Sequence, residues 1–473
     1  MAKAPPQFFG RAVELELLER AYASARSKLV VLHGRRRIGK SRLVQHFARG
    51  RPALLFEALE GERTPEQLEH FIATLRRQSR DPLLDSARFR TWDDAFTFLT
   101  ERVLAGQRSK LILFFDEFPW MAAGRRKLVS LLKYFWDNHW RDVNILLVVC
   151  GSISSFMVDR VVRSRALYGR ISLEICLRGL PPREAELMFH GRRSKEEVLR
   201  YLLIFGGVPR YLEEIQLNRS FHQNVNRLCF TPEALMVSEF EKIFYSQFRE
   251  HGTYLRIVKL LRERPLPLGE IARKLRVSSG GGLKRYLTNL VRAEILGEHQ
   301  SFGKSLRSKD TRYRLEDEYL VFYFKYIAPN LKTIVVAGHT DKLFERLCGP
   351  SFTPWLGLAF ERFCLKHAQR LAEAMGFANQ VLEAGPLFEP GAGGFQVDLL
   401  FRRADRVITL CEVKYHDGPV ETSIIPQVQR KCGLLPQRRG ITVERALISV
   451  HGPTAALRDT EYFHHHVTLD HLL

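Results

Sequence analysis

The sequence predicts an α/β protein with a parallel β-sheet in its first part and further domains after it. Three apolar runs, at residues 29–32, 111–115 and 145–150, have the composition of strands buried on both faces of such a sheet. Helical periodicity of apolar residues lies between these runs, for example at 43–47 and 68–75, which is typical of alternating strands and helices. A chain of 473 residues is also too long for one ordinary core and indicates about three domains.

The first apolar run leads into a turn bracketed by glycines and then into a helix. Residues 34–41 read Gly-Arg-Arg-Arg-Ile-Gly-Lys-Ser, which is a Walker A motif. In such a loop, glycines such as Gly34 and Gly39 let backbone N–H groups converge on phosphate oxygens. Lys40 would reach the β- and γ-phosphates, and the Ser41 hydroxyl would ligate Mg²⁺. The pattern therefore predicts ATP and Mg²⁺ as cofactors.

Polar residues end the other two apolar runs, at the edge where α/β sheets bind ligands. Asp116 and Glu117 form a Walker B pair, in which the aspartate holds Mg²⁺ and the glutamate polarises the attacking water as a general base. The third run ends in Cys-Gly-Ser, and Ser152 is a candidate sensor of the γ-phosphate. An ordinary Gly-Ser turn is the alternative interpretation of Ser152.

Short motifs in the first half of the chain resemble the archaeal-type AAA-like ATPases of the STAND/MNS group of P-loop NTPases. The motifs are the Walker A and B sequences, Phe-Phe-Gly-Arg at 8–11, Cys-Gly-Ser at 150–152, Leu-Tyr-Gly-Arg at 167–170 and Gly-Gly-Val-Pro at 206–209. The resemblance implies that Gly10 and Arg11 lie near the adenine and that Pro209 contacts the nucleotide from a helical lid. It also implies that Arg170 or a neighbouring arginine reads the γ-phosphate.

The net charge favours a polyanionic partner. Lysine and arginine number 73 against 52 aspartates and glutamates, which gives +21 and a pI near 9.8. DNA is the expected polyanion, and an anionic membrane surface is the alternative. We expect no apolar run of membrane-spanning length and no signal-peptide core, so a cytoplasmic location without a membrane partner is predicted. Seven scattered cysteines argue against a disulfide framework or a zinc ribbon.

Residues 249–330 have the pattern of a winged-helix domain. Three helical stretches precede a basic, strand-like segment at 312–315. The helical stretches lie at 254–261, 268–275 and 283–292. The candidate contacts to the DNA major groove and its phosphates are Lys284, Arg285 and Arg292 on the third helix and Lys304 and Arg307 in a basic wing. The alternative is that this domain only packs on the ATPase.

Two strand-like segments near the C-terminus carry a second set of chemical groups. Asp398 lies in the segment 395–401, and Glu412 and Lys414 lie in the segment 407–415. A short charged turn joins the segments, so an antiparallel pair would bring both carboxylates and the ammonium group to one face. Carboxylates hold Mg²⁺, and a lysine can steady the attacking hydroxide or the scissile phosphate.

This constellation resembles the PD-(D/E)XK nuclease superfamily. The resemblance implies that Glu361 is a helix-borne carboxylate of the same site and that Gln427 is a helix-borne polar contributor. Val397 stands where the motif has proline, which is a departure from the pattern. Because Glu-x-Lys on a strand is common by chance, an inactive nuclease-like fold stays open as the alternative.

The predicted architecture is a P-loop NTPase core at 1–180, a helical lid at 181–248, a winged-helix domain at 249–330 and an α/β restriction-endonuclease-like domain at 340–473. The predicted function is ATP-regulated, metal-dependent DNA cleavage in genome defence or mobile-element biology. Two alternatives are a STAND-type nucleotide switch and a regulatory DNA-binding ATPase, each with an inactive nuclease-like domain. A homo-oligomer is a possible assembly, and an arginine supplied by a neighbouring copy would favour it.

Overall fold

The computed structural model describes residues 7–79, 82–105, 109–123, 127–152, 156–247, 251–299, 302, 311–389, 395–435 and 440–473. The chain divides into two compact units. The first unit contains Met1–Leu180 and Tyr245–Arg249, and the second contains Pro181–Phe244 and Glu250–Leu473. Lys304 and Arg307, the two candidate wing residues, lie outside the described residues.

The first unit alternates strands and helices, as its sequence pattern predicts. Its strands are β1 (Lys28–Gly34), β2 (Ala53–Glu57), β3 (Leu111–Asp116), β4 (Ile145–Ser152) and β5 (Ile171–Leu177). Its helices are α1 (Ala12–Ala23), α2 (Lys40–Phe47), α3 (Thr64–Ser79), α4 (Trp92–Phe98), α5 (Phe118–Met121) and α6 (Lys127–Phe135). The π-helical segments Leu99–Leu104 and Trp136–Trp140 continue α4 and α6.

The five strands of the first unit form a parallel sheet in the order β2-β3-β4-β1-β5. Side chains alternate between the two faces of this sheet, and helices cover both faces. On one face, Leu113 and Phe115 pack with apolar residues of α3, α4 and α6; on the other, Ile112 and Phe114 pack with those of α1 and α2. This double burial explains why the strands are apolar at nearly every position, and it confirms the predicted parallel sheet.

The second unit contains the remaining helices and strands, although the last three residues of its α11 belong to the first unit. Its helices are α7 (Pro182–Glu186), α8 (Lys195–Phe205), α9 (Pro209–Leu212), α10 (Phe221–Cys229), α11 (Leu235–Gln247), α12 (His251–Leu261), α13 (Leu268–Leu275), α14 (Gly281–Arg292), α15 (Glu318–Phe322), α16 (Leu331–Ala337), α17 (Leu343–Lys366), α18 (Ala368–Ala374), α19 (Ile425–Leu434), α20 (Ala455–Asp459) and α21 (Leu469–Leu472). Its strands are β6 (Leu266–Pro267), β7 (Leu296–His299), β8 (Arg312–Leu315), β9 (Val381–Glu389), β10 (Phe395–Arg403), β11 (Val407–Lys414), β12 (Thr442–Ser449) and β13 (His465–Val467).

Two sheets belong to the second unit. A small antiparallel sheet has the order β6-β8-β7. A larger sheet has the order β13-β12-β11-β10-β9, in which β9, β10 and β11 are antiparallel and β11, β12 and β13 are parallel. Helix α19 packs on the larger sheet through Val428, which is buried together with Leu410 and Leu447. The pairing of β10 with β11 sets the two segments that carry the predicted carboxylates side by side.

One helical stretch corrects the expectation that no apolar run has membrane-spanning length. By length and composition, Glu318–Ala337 is apolar enough to cross a bilayer. Core helices pass the same test, and several side chains of this stretch, including Tyr319, Leu320 and Ile327, are buried inside the second unit. A single such helix with buried side chains is therefore weak evidence for a membrane.

Candidate functional site

The carboxyl ends of β1, β3 and β4 meet at one edge of the parallel sheet. Gly34, the last residue of β1, is paired in register with Ser152, the last residue of β4. Asp116 ends β3, which lies directly beside β4. The sheet therefore brings the phosphate loop, the Walker B pair and Ser152 together, as the strand pattern predicts.

The two glycines of the phosphate loop are favoured for different steric reasons. A Cβ atom at Gly34 would lie 2.3 Å from the carbonyl oxygen of Leu177, so the loop can approach β5 this closely only without a side chain. Gly39 has a φ of 87° and precedes α2, a left-handed conformation that favours glycine. The loop thus turns directly into α2, whose first two residues are Lys40 and Ser41.

A polar chain joins Lys40 to the Walker B glutamate through Ser152. The buried Nζ of Lys40 donates to the carbonyl oxygens of Arg35 at 3.0 Å and Gly34 at 3.3 Å, and it lies 3.5 Å from Ser152 Oγ. The hydroxyl of Ser152 in turn donates to Glu117 Oε1 at 3.3 Å. Ser152 therefore has polar contacts with both Lys40 and Glu117, which the interpretation as an ordinary Gly-Ser turn does not explain.

Glu117 has surroundings that suit a general base. Burial raises the pKa of its carboxyl group; nearby Lys40 opposes that shift, and the adjacent Asp116 adds to it. The backbone of Glu117 is left-handed, with a φ of 48°, and its N–H donates to Asp116 Oδ1 at 2.9 Å. A raised carboxyl pKa lies closer to neutral pH, where general-base catalysis by a carboxylate is most effective.

Arg11 anchors the phosphate loop. Its buried guanidinium group donates to the carbonyl oxygen of Ile38 at 3.0 Å and to Glu14 Oε1 at 3.3 Å. Gly10 and Arg11 both have a φ of 66°, so the backbone is left-handed at two successive residues before α1 begins. Because Ile38 belongs to the loop, Arg11 holds that loop from the side of α1. The position near the adenine that the resemblance implies for Gly10 and Arg11 stays a prediction.

Arg170 lies at the opposite edge of the sheet from the phosphate loop. It precedes β5, whose first residue Ile171 pairs with Leu29 near the amino end of β1. Gly34 is five residues further along β1, which is roughly 16 Å in an extended strand. The guanidinium group of Arg170 instead donates to Asp137 at 2.6 and 2.9 Å. The expectation that Arg170 reads a γ-phosphate bound to its own chain is therefore wrong, because a residue before a parallel strand lies away from the carboxyl edge.

Pro209 is the first residue of α9 in the second unit. Three residues earlier, Gly206 ends α8 with a φ of 62°, and Tyr211 donates from its hydroxyl to the buried Glu239 at 2.7 Å. These contacts fix the segment within its own unit. The nucleotide contact that the resemblance implies for Pro209 stays a prediction.

Strands β10 and β11 bring the two predicted C-terminal carboxylates together. Leu399 pairs with Cys411 in the antiparallel register, and the next step of that register sets Asp398 across from Glu412. The backbone N–H of Val413 donates to the Asp398 carboxylate. The alternation of side chains along the two strands is therefore sufficient to make the carboxylates neighbours.

Glu412 is fully buried and has two lysine partners. Its Oε2 accepts a hydrogen bond from Lys431 Nζ at 2.7 Å. Its Oε1 lies 3.0 Å from Lys414 Nζ, which is an ion-pair distance, but the two groups are not aligned for a hydrogen bond. The buried carboxylate needs these two positive charges because an unpaired charge in the protein interior is strongly destabilising.

Glu361 on α17 shares the electrostatic environment of these groups. Burial, and then the negative charge of Asp398, raise the pKa of Glu361 to about 7. Burial also raises the pKa of Asp398, a shift that Lys431 opposes and Glu412 strengthens. We call Glu361, Asp398, Glu412, Lys414 and Lys431 the carboxylate site.

The carboxylate site has the donor chemistry that Mg²⁺ prefers. Its acidic members supply only oxygen ligands. The Glu412 oxygen without a hydrogen bond and the raised pKa values of Glu361 and Asp398 indicate that an added cation would be stabilised there. Within the described residues, however, no group of three or more His, Cys, Asp or Glu side chains is close enough together to hold a metal ion. The donor types fit Mg²⁺, whereas their spacing in this structure does not form a closed metal site.

Lys431 is a helix-borne member of the carboxylate site, in addition to the predicted contribution of Gln427. Both residues lie on α19, but Gln427 is exposed whereas the Lys431 side chain is only 14% exposed and bonds to Glu412. The resemblance therefore implied the helix that contacts the site, while the contribution of Gln427 stays a prediction. A lysine four residues after the glutamine, on the same helical face, is the signal in the sequence that would have identified it.

Helices α13 and α14 expose several cationic side chains. Lys284 and Arg285 are exposed on α14, as the winged-helix interpretation requires, whereas Arg292 is half-buried. Arg273 and Lys274 on α13 are exposed as well, although they are not among the predicted DNA contacts. The two helices thus present a positively charged surface of the kind that phosphates attract.

Comparison with known proteins finds similarity to the first part of the chain. Residues 8–215 match a family described as an ATPase domain predominantly from Archaea. An uncharacterized protein of Methanocaldococcus jannaschii is 26% identical over 413 residues, which make up 87% of this chain and 88% of that protein. An uncharacterized ATP-binding protein of the same organism is 45% identical over 40 residues, 8% of this chain and 68% of the relative.

A solved structure shares the fold. The Walker-type ATPase of Pyrococcus abyssi superposes with a TM-score of 0.50 at 19% sequence identity, covering 67% of this chain and 96% of that chain. The parallel sheet with its phosphate loop thus has the fold of the P-loop ATPases. More particularly, residues 8–215 are similar to the archaeal-type ATPase domain, which supports the predicted ATPase and its binding of nucleotide.

We expect Glu361→Gln to stabilise the metal-free protein at pH 8 and to change its stability little at pH 4. The folded pKa of about 7 lies above the unfolded value of 4.5, so the folded chain binds more protons between these pH values. The free energy of unfolding of the wild type should therefore fall as pH rises through this range. Glutamine stays neutral at every pH, so the variant should lack the part of this fall that comes from Glu361. Urea unfolding in EDTA at both pH values measures the effect.

The matched control is Glu373→Gln, at an exposed glutamate on α18. It should show no stabilisation that grows with pH. A gain for Glu361→Gln that is equal at pH 4 and pH 8 would contradict the raised pKa of Glu361.

Proposed function

We propose that this protein hydrolyses ATP and uses its nucleotide state to control metal-dependent DNA cleavage at the carboxylate site. One observation carries the proposal: a chain whose first part is similar to an archaeal-type ATPase domain also gathers one fully buried and two half-buried carboxyl groups beside two lysines in its second unit. The resemblance of Asp398, Glu412 and Lys414 to the PD-(D/E)XK motif supports a nuclease as the chemistry of that site.

The phosphate loop and its neighbours have distinct roles in the proposed ATP hydrolysis. Ser41 and Asp116 are the residues that would hold Mg²⁺, which when bound neutralises charge on the phosphates. Lys40 exchanges the loop carbonyl oxygens for phosphate oxygens of ATP. Glu117 accepts the proton of the attacking water, and Ser152 fixes the orientation of Glu117 through its hydrogen bond.

Glu117→Gln should abolish most ATP hydrolysis while leaving ATP binding intact. The amide keeps the shape of the side chain but cannot accept the proton of water, so turnover should fall about 10²–10⁴-fold. Lys40→Ala should instead weaken ATP binding, because it removes the cation that meets the phosphates. Phosphate release and equilibrium binding of a fluorescent ATP analogue measure the two effects.

The control for both variants is Glu69→Gln, at an exposed glutamate on α3 of the first unit. Its turnover and ATP affinity should equal those of the wild type. Undiminished turnover in Glu117→Gln would rule out Glu117 as the general base.

The members of the carboxylate site have complementary roles in the proposed cleavage. Asp398 and Glu412 are the residues that would hold Mg²⁺, which when bound supplies Lewis acidity and a hydroxide near neutral pH. Lys414 and Lys431 offer positive charge to the scissile phosphate. Glu361, with a pKa of about 7, can hold or release a proton at neutral pH.

Duplex DNA is the partner we propose for the second unit. The succession of α12, α13 and α14 with the antiparallel β6-β8-β7 sheet supports the winged-helix interpretation. Exposed Lys284 and Arg285 on α14, together with a net charge of +21, favour contact with phosphates. The winged helix would hold the DNA, and the carboxylate site would cut it.

The wild-type protein should cut plasmid DNA with Mg²⁺ or Mn²⁺, at rates that differ between ATP and ADP. Asp398→Asn and Lys414→Met should each reduce cleavage about 100-fold or more, because each removes a charge that the hydrolysis needs. Conversion of supercoiled plasmid to open and linear forms measures the rate.

Asp459→Asn, at an exposed aspartate at the end of α20, is the matched control and should cut like the wild type. Cleavage that persists undiminished in both site variants would contradict catalysis by the carboxylate site.

A nucleotide switch without cleavage is the second candidate function. The observation that favours it is that both oxygens of Glu412 lie against lysines, while the described carboxylates do not form a closed metal site. In that case ATP would change DNA binding, but no DNA would be cut with either metal. The plasmid assay therefore separates the two functions.

A further inference from the structure

Helix α8 and the turn after it contact segments on two sides of the carboxylate site. The helix spans Lys195–Phe205, and Gly206 ends it. Pro209, to which the resemblance assigns a nucleotide contact, follows only three residues later. All of the contacts described below lie within the second unit.

The first contact joins α8 to the strand that carries Lys414. Nε of Arg200 donates to the hydroxyl of Tyr415 at 3.2 Å. Tyr415 is the residue directly after Lys414, and its ring packs edge-on against Phe360, with 6.0 Å between the ring centroids. Phe360 in turn directly precedes Glu361 on α17. One tyrosine therefore links α8 to the neighbours of two members of the carboxylate site.

A network on α8 keeps Arg200 in place. Glu196, one helical turn earlier, pairs with Arg200 and lies 3.7 Å from Nε2 of His451. His451 follows β12, the strand beside β11 in the larger sheet. The guanidinium group of Arg200 is thus held between α8 and the sheet, which limits how far Tyr415 can move independently of the helix.

The second contact joins the end of α8 to the helix that carries Glu361. A Cβ atom at Gly206 would lie 2.6 Å from Oε2 of Glu318, so the carboxylate packs directly on the glycine. Both oxygens of Glu318 bond to Lys366 Nζ, at 2.8 and 3.1 Å. Lys366 is the last residue of α17, five residues after Glu361. Both charged side chains are largely buried, so the pair cannot separate without leaving a charge uncompensated.

We propose that Arg200, Glu318 and Lys366 are positioning residues for the carboxylate site, and that they transmit movement of the Gly206–Pro209 segment to Lys414 and Glu361 together. The inference rests on the proposed function, because it makes this segment the connection between nucleotide state and cleavage. Its physical basis is that α8 is one continuous helix with contacts at Arg200 and at its terminal Gly206. A displacement of the helix end therefore acts on two sides of the site at once.

Hydrogen exchange of the full-length chain tests this transmission without relying on cleavage. Wild type and Tyr415→Phe are compared with ADP and with a non-hydrolysable ATP analogue, using peptides that cover 407–415 and the phosphate loop. In the wild type, exchange of the 407–415 peptide should differ about threefold or more between the two nucleotides. In Tyr415→Phe, which keeps the ring against Phe360 but loses the bond to Arg200, that difference should disappear. The response of the phosphate-loop peptide should stay unchanged, which reports a folded variant.

Tyr462→Phe is the matched control, since it removes a tyrosine hydroxyl from the same unit that interacts with Arg445 rather than with Arg200. It should respond like the wild type. Equal nucleotide responses of the 407–415 peptide in wild type and Tyr415→Phe, or no response in the wild type, would overturn the proposal. Plasmid cleavage, measured on the same samples, tests the nuclease function separately from the positioning role. A nucleotide response that depends on Tyr415 without any cleavage would refute the nuclease and support the positioning role.

Discussion

The common direction of β1, β3 and β4 is the constraint on which the nucleotide site depends. Because these strands are parallel neighbours, their carboxyl ends bring Gly34, Asp116 and Ser152 to one edge of the sheet. The loop after β1 is then held from two sides, by the close approach of Gly34 to Leu177 and by the hydrogen bond from Arg11 to the loop carbonyl. Burial of both sheet faces makes this edge a rigid base for the chemistry of ATP.

Charge compensation organises the second site in a different way. Glu412 is fully buried because Lys414 and Lys431 supply positive charge to its two oxygens. The same two lysines do not fully compensate Glu361 and Asp398, whose pKa values stay raised by burial and by neighbouring carboxylates. A divalent cation would compensate this excess of negative charge. That is the physical reason to connect the site with metal-dependent chemistry.

The sequence predicted what depends on a local pattern and failed where distant segments meet. The Walker motifs are contiguous, and Asp398 and Glu412 follow from a period of two and a short turn, so both were accessible. Arg170 was misassigned because a short motif does not reveal which edge of the sheet it occupies. Lys431 was missed because the rotation of a helix against a sheet is set by tertiary packing. The pairing of Glu318 with a lysine 48 residues away has no local signature at all.

The number of Mn²⁺ ions bound by the nucleotide-free protein tests the central claim most directly, namely that the second unit holds a catalytic cation. Calorimetric titration would compare the wild type with the double variant Asp398→Asn and Glu412→Gln. The account predicts about one ion per chain in the wild type, bound through carboxylate oxygens, and its loss in the double variant. Equal binding in both proteins, or no binding in the wild type, would contradict the account.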